Sequence, residues 1–203
     1  SYITGIRTGA AGALGAKYLA RPDSETLLMV GAGHVSGFQV AATLSLLPGI
    51  KQVMIYDPLD DTAAEKFSRK ISSAVAEEFG IDTGSSVTYS AVKDIETAVG
   101  KSYIIITATP AKTPIIKKEW VQPGTHFSCI GADMAGKEEI DPRIFESARV
   151  FTDDTEQCID VGEIEIPVKL GILEKSNIAG EIGDIIVGRT DGRQNRDQVT
   201  VFD

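Results

Sequence analysis

The sequence predicts an α/β protein with a Rossmann-like, doubly wound and mostly parallel sheet that has helices on both faces. Two observations lead to this prediction. Short runs of apolar residues alternate with longer segments of helical periodicity, which is typical of buried parallel strands joined by helices. In addition, the first apolar run ends in a glycine-rich turn that opens a helix, an arrangement common in nucleotide-binding folds of this class.

The predicted strands are short runs rich in β-branched, aromatic and other apolar residues. In chain order they cover residues 26–30, 52–56, 87–89, 103–107, 125–130 and 149–152. The first run, TLLMV, is apolar throughout, as expected for a strand that is buried on both faces. The second run, QVMIY, is closed by Asp57-Pro58.

The predicted helices are recognised by their apolar periodicity and by their terminal residues. In chain order they cover residues 7–20, 35–47, 62–79 and 92–99, followed by a helix that opens at Asp141-Pro142. Thr8 is the expected N-cap of the first helix, and Pro48-Gly49 ends the second. Thr62 with Glu65 three residues later predicts a capping box for the third.

These elements suggest one nucleotide-binding domain with two flanking segments. Residues 1–24 are expected to be a lead-in helix. Residues 25–152 form the predicted Rossmann domain, and residues 153–203 a C-terminal extension of the same domain. The acidic residues between 153 and 165 are expected to form a solvated face.

Composition excludes several classes of function. The 203 residues include 20 Lys and Arg against 29 Asp and Glu, which gives a net charge of −9. This balance argues against nucleic-acid partners, and no apolar run approaches the roughly 20 residues that span a membrane. The two cysteines, Cys129 and Cys158, are too few for a metal cluster or a disulfide framework. We therefore expect no metal site and a reducing, cytoplasmic location.

The turn after the first strand is a candidate dinucleotide site. Gly31 permits a tight turn, and Gly33 allows a pyrophosphate to approach the backbone. The helix N-terminus formed by His34, Val35 and Ser36 supplies free N–H groups and a partial positive charge. The third glycine of the usual fingerprint is replaced by Ser36. A turn whose glycines serve packing alone is the alternative.

Asp57 lies at the end of the second strand, about 20 residues after the glycine turn, where a carboxylate binds the adenosine ribose. A carboxylate at this position repels a 2′-phosphate, and no basic residue follows it directly, so NAD is favoured over NADP. Thr107 and Thr109 end the fourth predicted strand, where the nicotinamide half of the cofactor passes. Their alternative interpretation is as ordinary strand-end threonines.

Three charged residues are candidates for chemistry. Asp133 follows the strand at 125–130, at the sheet edge where ligands bind, and is the candidate proton acceptor and donor for a substrate amine. Lys137 is expected to steady the cofactor or to neutralise Asp133. Arg7, beside a predicted helix N-terminus, suits a carboxylate or phosphate ligand. A turn-capping aspartate and a surface arginine are the respective alternatives.

These motifs together resemble the ornithine cyclodeaminase/mu-crystallin family over essentially the whole chain. The matching segments are Arg7-Thr8-Gly9-Ala10-Ala11, Gly31-Ala32-Gly33, Gly131-Ala132-Asp133-Met134-Ala135-Gly136-Lys137, Glu181-Ile182-Gly183-Asp184, Gly192-Arg193 and Val199-Thr200-Val201-Phe202-Asp203. The resemblance implies a missing N-terminal domain that binds substrate and dimerises, and hence a homodimeric full-length protein. One departure concerns the glycine turn, where many members have Gly-x-Gln-Ala and this chain has Gly33-His34-Val35-Ser36.

The resemblance also assigns roles to individual residues. Arg7 corresponds to the arginine that binds the substrate carboxylate, and Asp133 to the carboxylate that moves protons. The positions that correspond to NAD contacts are Thr8, Gly31, Gly33, His34, Val35, Ser36, Asp57, Thr109 and Lys137.

The implied activity is that of an NAD-dependent amino-acid enzyme. The first expectation is ornithine cyclodeaminase, which converts L-ornithine to L-proline and ammonia by removing a hydride and returning it. An alanine dehydrogenase or cyclic-imine reductase is the second expectation. The third is a catalytically silent, crystallin-like binding protein.

Overall fold

Strands and helices alternate along residues 1–82 and 86–203, the part of the chain that the computed structural model describes. The strands are β1 Thr26–Val30, β2 Gln52–Tyr56, β3 Thr88–Ala91, β4 Ile104–Thr107, β5 Lys112–Ile116, β6 His126–Cys129, β7 Glu138–Ile140, β8 Arg149–Thr152, β9 Ile178–Glu181 and β10 Thr200–Phe202. The α-helices are α1 Tyr2–Leu19, α2 His34–Leu46, α3 Asp61–Glu77, α4 Ile95–Val99, α5 Thr155–Val161, α6 Glu165–Lys169 and α7 Ile182–Ile186. Short 3-10 helices cover Lys118–Trp120, Pro142–Glu146 and Lys175–Asn177.

Eight strands form one sheet in the order β3-β2-β1-β4-β6-β10-β8-β9. Every neighbouring pair in this sheet is parallel, which confirms the predicted Rossmann-like fold. The chain leaves β1 towards β2 on one side and returns to β4 on the other side of β1. The carboxyl ends of β1 and β4 therefore flank the crevice where ligands bind in folds of this class. Strands β5 and β7 form a separate small parallel sheet.

Alternate side chains of the strands face two apolar cores, one on each side of the sheet. On β1, Leu27 and Met29 pack with the apolar sides of α1, α2 and α3. Leu28 and Val30 point to the opposite face, where they join a core that includes residues of α4 and α5. Helices thus cover both faces, as the sequence predicted.

The end of the chain lies in the middle of the sheet. Strand β10 is inserted between β6 and β8, although it follows β8 by almost fifty residues in sequence. Its Phe202 is 1% exposed and packs with Leu19 of α1 and Phe151 of β8. The segment predicted as a C-terminal extension therefore completes the central sheet.

Helix α1 begins at Tyr2, which makes two predictions wrong: the N-cap at Thr8 and the position of Arg7 beside a helix N-terminus. Thr8 lies inside the helix and its hydroxyl donates a 2.8 Å hydrogen bond to Thr4 O. Tertiary packing extends the helix towards its N-terminus, because Gly5 and Gly9 in its first half pack against Phe38 of α2. A Cβ at Gly9 would lie 2.8 Å from Phe38 O.

Two other predicted caps differ from the structure. Asp60, and not Thr62, is the N-cap of α3, since its carboxylate accepts a 2.8 Å hydrogen bond from Thr62 N. Because the helix already begins at Asp61, Thr62 has helical backbone geometry and is not at the capping position. Asp141 caps as predicted, but the element it opens is a short 3-10 helix.

None of the helices within the described residues is both long enough and apolar enough to cross a membrane.

Candidate functional site

The glycine turn between β1 and α2 brings the backbone close to the end of β4. Gly31 has a φ of +105°, and a Cβ there would lie 2.6 Å from Ala108 O. Gly33 is the N-cap of α2, and no atom lies within 4 Å of the position that its Cβ would occupy. Its exposed side is therefore free for a ligand. The amides of Gly33, His34 and Val35 have no acceptor among the described residues, as expected at a helix N-terminus.

Asp57 holds this turn from the end of β2. Its Oδ2 accepts a 2.9 Å hydrogen bond from Ala32 N. Its Oδ1 accepts hydrogen bonds from Leu59 N at 3.0 Å and from Asp60 N at 3.1 Å. A carboxylate has about four acceptor positions, so one remains for a ribose hydroxyl. Asp57 thus fixes the turn as well as being the predicted ribose ligand.

The remaining predicted residues of the turn differ in their exposure. His34 is exposed, and its ring packs edge to face on Phe38 with 5.3 Å between the ring centroids. Together with Phe67 and Phe79, it lines a cavity of about 620 Å³ between α2 and α3. Ser36 is completely buried. Its amide donates a 3.3 Å hydrogen bond to Gly33 O, so neither the side chain nor the amide of Ser36 is open to a ligand, contrary to the predicted cofactor contact.

Thr109, which follows β4, is buried and hydrogen-bonded to a carboxylate that the sequence analysis did not identify. Oε1 of Glu139 accepts hydrogen bonds from Thr109 N and from Thr109 Oγ1, both at 2.7 Å. Thr109 therefore lies at the predicted edge of the sheet, but its hydroxyl is engaged with the protein.

In the loop after β6, Asp133 is exposed to solvent, and its carboxylate is held by Lys137. The Asp133 side chain is 73% exposed, whereas that of Lys137 is 10% exposed. Nζ of Lys137 forms an ion pair with Asp133 and donates a 3.1 Å hydrogen bond to Gly131 O. The predicted neutralising role of Lys137 thus has a structural basis in this ion pair.

Arg7 and Asp133 line the same cavity, although they are far apart in sequence. This cavity has a volume of about 340 Å³ and is also lined by Thr8 of α1. Arg7 is exposed and forms no ion pair with any residue that the structure describes. A guanidinium and a carboxylate that face one small cavity are suited to the two ends of an amino acid.

The wall of this cavity contains a carboxyl group that the sequence analysis missed. Burial raises the pKa of Asp203 to about 7, and its Oδ2 accepts a 3.0 Å hydrogen bond from Ile164 N. The available signal was its position, since it follows an apolar run at the carboxyl edge of a parallel sheet. Burial also raises the pKa of the Cys129 and Cys158 thiols, which disfavours the reactive thiolate form of both at neutral pH.

His126 is a structural residue within β6. Its Nδ1 lies 3.0 Å from Thr200 Oγ1 and its Nε2 lies 3.0 Å from Ser128 Oγ. Ser128 Oγ also donates a 2.9 Å hydrogen bond to Gly12 O, and Thr200 Oγ1 donates one of 3.0 Å to Leu19 O. Burial, followed by the charge of Arg193, lowers the pKa of His126 to about 3, so the ring is neutral.

The parallel sheet, its topological switch point and the glycine turn define a dinucleotide-binding protein of the Rossmann class. The chain belongs to the ornithine cyclodeaminase/mu-crystallin family, whose profile matches residues 1–203. This match confirms the resemblance drawn from the sequence motifs.

Curated relatives support the same family. The chain is 37% identical over 203 residues to an alanine dehydrogenase of Archaeoglobus fulgidus, a match that covers 100% of this chain and 58% of the relative. It is 35% identical to a Δ(1)-pyrroline-2-carboxylate reductase of Paracoccus denitrificans, with coverage of 98% and 60%. The chain therefore spans about three fifths of the length of these relatives.

Solved structures show the same fold. The Δ(1)-pyrroline-2-carboxylate reductase of Thermococcus litoralis, solved with NADH and L-proline, is 30% identical with a TM-score of 0.89 and coverage of 100% and 59%. An archaeal alanine dehydrogenase dimer with bound NAD is 36% identical with a TM-score of 0.87 and coverage of 100% and 58%.

Proposed function

We propose that this chain is the cofactor-binding part of an NAD-dependent enzyme that oxidises or reduces the nitrogen-bearing carbon of a small amino acid or cyclic imine. One observation carries the proposal. Arg7 and Asp133 face one cavity at the carboxyl edge of the sheet. Arg7 forms no ion pair among the described residues, and Asp133 is an exposed carboxylate held by Lys137.

The residues present fit NAD. The open position at Gly33 and the free amides at the start of α2 suit a pyrophosphate. The remaining acceptor position of Asp57 suits a ribose hydroxyl, and its negative charge disfavours a 2′-phosphate. NAD, when bound, accepts a hydride from carbon, and NADH donates one.

The chain's own residues then bind the substrate and move a proton. The Arg7 guanidinium binds the substrate carboxylate through paired N–H donors, which directs the substrate nitrogen towards Asp133. Asp133 accepts a proton from that nitrogen during oxidation and returns it during reduction. Lys137 keeps the carboxylate at the mouth of the cavity through its ion pair and its bond to Gly131 O.

A dehydrogenase or reductase is our first candidate because relatives with these names are 37% and 35% identical to the chain. Ornithine cyclodeaminase, the first expectation from the sequence, becomes the second candidate. It is supported by a lysine cyclodeaminase structure that is 26% identical with a TM-score of 0.79.

The two candidates are separated by incubating the full-length protein with NAD and L-alanine, with NADH and Δ(1)-pyrroline-2-carboxylate, or with NAD and L-ornithine. Nicotinamide absorbance and ammonia are followed together. A net change in NADH identifies a dehydrogenase or reductase, whereas ammonia from ornithine without net NADH identifies a cyclodeaminase. No turnover in any arm, with the protein folded and NADH bound, would refute both activities and favour the silent binding protein.

Asp133→Asn tests the proton-transfer role. We expect kcat to fall by about 10²–10⁴-fold, the usual contribution of general acid–base catalysis, with the NADH dissociation constant changed less than about threefold. Asp160→Asn is the control, because Asp160 is an exposed carboxylate on α5 outside the lining of the cavity. Unchanged turnover in Asp133→Asn would remove this residue from the mechanism.

We also propose that the full-length protein is a homodimer. Helix α1 exposes the large apolar side chains of Tyr2, Ile3 and Ile6, which are 62%, 78% and 51% exposed. The similar archaeal alanine dehydrogenase was solved as a dimer. Light scattering of the purified full-length protein gives its mass directly, and a monomeric mass at micromolar concentration would contradict the proposal.

A further inference from the structure

A buried carboxylate bridges two strand ends at the candidate site. Glu139 lies on β7 in the small sheet and is completely buried. Its Oε1 accepts both hydrogen bonds from Thr109, after β4, and its Oε2 accepts a 3.0 Å hydrogen bond from Gly131 N, after β6. One side chain thus holds together the two loops that flank the carboxyl edge of the sheet.

The contact between Glu139 and the loop after β6 is close. A Cβ at Gly131 would lie 2.5 Å from Glu139 Oε1 and 2.5 Å from Thr109 O, so a glycine is needed for this approach. The backbone of Gly131 is held on both sides, since its N–H donates to Glu139 and its carbonyl oxygen accepts from Lys137. Lys137 in turn holds Asp133.

A second buried carboxyl group lies behind Glu139. Oε1 of Glu163 accepts hydrogen bonds from Glu139 N at 2.8 Å and from Ile140 N at 2.7 Å. Its Oε2 is buried without a partner among the described residues. Burial, followed by the negative charge of Glu139, raises the pKa of Glu163 well above its usual range.

The donors around the pair distinguish the two groups. The carboxylate of Glu139 faces two N–H groups and one hydroxyl, and such donors stabilise an ionised carboxylate. Burial raises the pKa of both carboxyl groups, and that of Glu163 the more, so we assign the proton to Glu163.

We propose that Glu139, as a carboxylate, is a positioning residue that bridges Thr109 and Gly131 and thereby places Asp133 for proton transfer, while neutral Glu163 supports it from behind. This inference rests on the function proposed above. It assigns Glu139 no contact with substrate or cofactor. Its effect on catalysis therefore acts through the two loops.

The test uses the full-length protein with three substitutions. In Glu139→Gln, one carboxylate oxygen is replaced by an NH2 group, which donates hydrogen bonds and cannot accept them. The bonds from Thr109 or the bond from Gly131 are therefore lost, depending on which oxygen is replaced. We expect kcat to fall between about 10- and 100-fold, as for a small misplacement of a catalytic group, with the amino-acid KM changed less than about threefold. Glu163→Gln preserves a neutral group of the same shape, and its kcat is expected to stay within about twofold of wild type. Glu138→Gln, on the opposite side of β7, is the matched control.

Hydrogen exchange of peptides covering residues 107–111 and 129–137 provides a readout independent of turnover. We expect faster exchange in Glu139→Gln and wild-type exchange in the other two variants. Wild-type kcat in Glu139→Gln, or equal losses in Glu139→Gln and Glu163→Gln, would overturn the proposal. If the wild-type protein has no activity, the proposed function fails, and unchanged exchange in Glu139→Gln would separately refute the positioning role.

Discussion

Replacing Asp57 by alanine should loosen the glycine turn and weaken NADH binding. The carboxylate accepts three backbone N–H groups, from Ala32, Leu59 and Asp60. Leu59 and Asp60 are exposed, so water replaces the carboxylate at their amides. The bond to Ala32 joins the carboxylate after β2 to the turn after β1, and without it the 2.7 Å bond from Gly31 N to Tyr56 O still joins the two.

The expected magnitude follows from that single bond. A hydrogen bond to a charged acceptor contributes about 1.5–3 kcal/mol, which corresponds to a weakening of NADH binding by about 10- to 150-fold. NADPH affinity should fall less, because the substitution also removes a negative charge that repels the 2′-phosphate. Fluorescence titration of the full-length protein with NADH and with NADPH measures both dissociation constants.

Asp61→Ala is the control, since Asp61 lies near the same edge and forms an exposed ion pair of 3.5 Å with Lys93. Such pairs contribute little, so cofactor affinity should stay within about twofold of wild type. Asp57→Asn keeps one oxygen acceptor and should give an intermediate affinity. The reasoning is refuted if Asp57→Ala binds NADH within twofold of wild type and retains the preference for NADH over NADPH.

Three further predictions concern stability and reactivity. In Gly31→Ala the new Cβ would lie 2.6 Å from Ala108 O at a φ of +105°, so the free energy of unfolding should fall by at least about 1–3 kcal/mol. Gly33→Ala, at a φ of −83°, should unfold like wild type, and equal thermal midpoints of the two variants would contradict the prediction. Burial lowers the pKa of His126 to about 3, so the folded state keeps the ring neutral while the unfolded state binds a proton below about pH 6.5. The free energy of unfolding should therefore fall by about 2 kcal/mol between pH 6.5 and 5. Urea titrations of wild type and His126→Gln should then converge at the lower pH, and a constant difference would exclude a neutral buried His126. The buried thiols of Cys129 and Cys158 should react with a thiol reagent only after denaturation, which a colorimetric assay with and without urea checks.

Local patterns were sufficient to predict the glycine turn and six of the strands that the structure describes, but not β5, β7, β9 and β10. The run TLLMV became β1 with the predicted bounds, and QVMIY became β2. These elements are predictable because a parallel strand buried on both faces is apolar throughout its length. The caps at Thr8 and Thr62 were wrong because neighbouring residues competed for the helix start and tertiary contacts decided the outcome.

The acidic segment shows where local patterns fail. Residues 153, 154, 156 and 160 are exposed as predicted, but Glu163 and Glu165 are 1% and 3% exposed. Glu163 accepts hydrogen bonds from two backbone N–H groups of β7, and Glu165 accepts a 2.8 Å hydrogen bond from Gly136 N. A charge pattern along the sequence does not distinguish a buried glutamate from a solvated one. The difference depends on which other segments of the folded chain pack against each residue.

The sequence by itself determined the fold class, the glycine turn and the place of Asp57, since each depends on residues within one βαβ unit. Tertiary structure alone decided that Arg7 shares a cavity with Asp133 and that β10 lies between β6 and β8. It also decided that Glu139 joins the ends of β4 and β6. These contacts link residues from separate elements, whose partners are set by the order of strands in the sheet rather than by the spacing of residues along the chain.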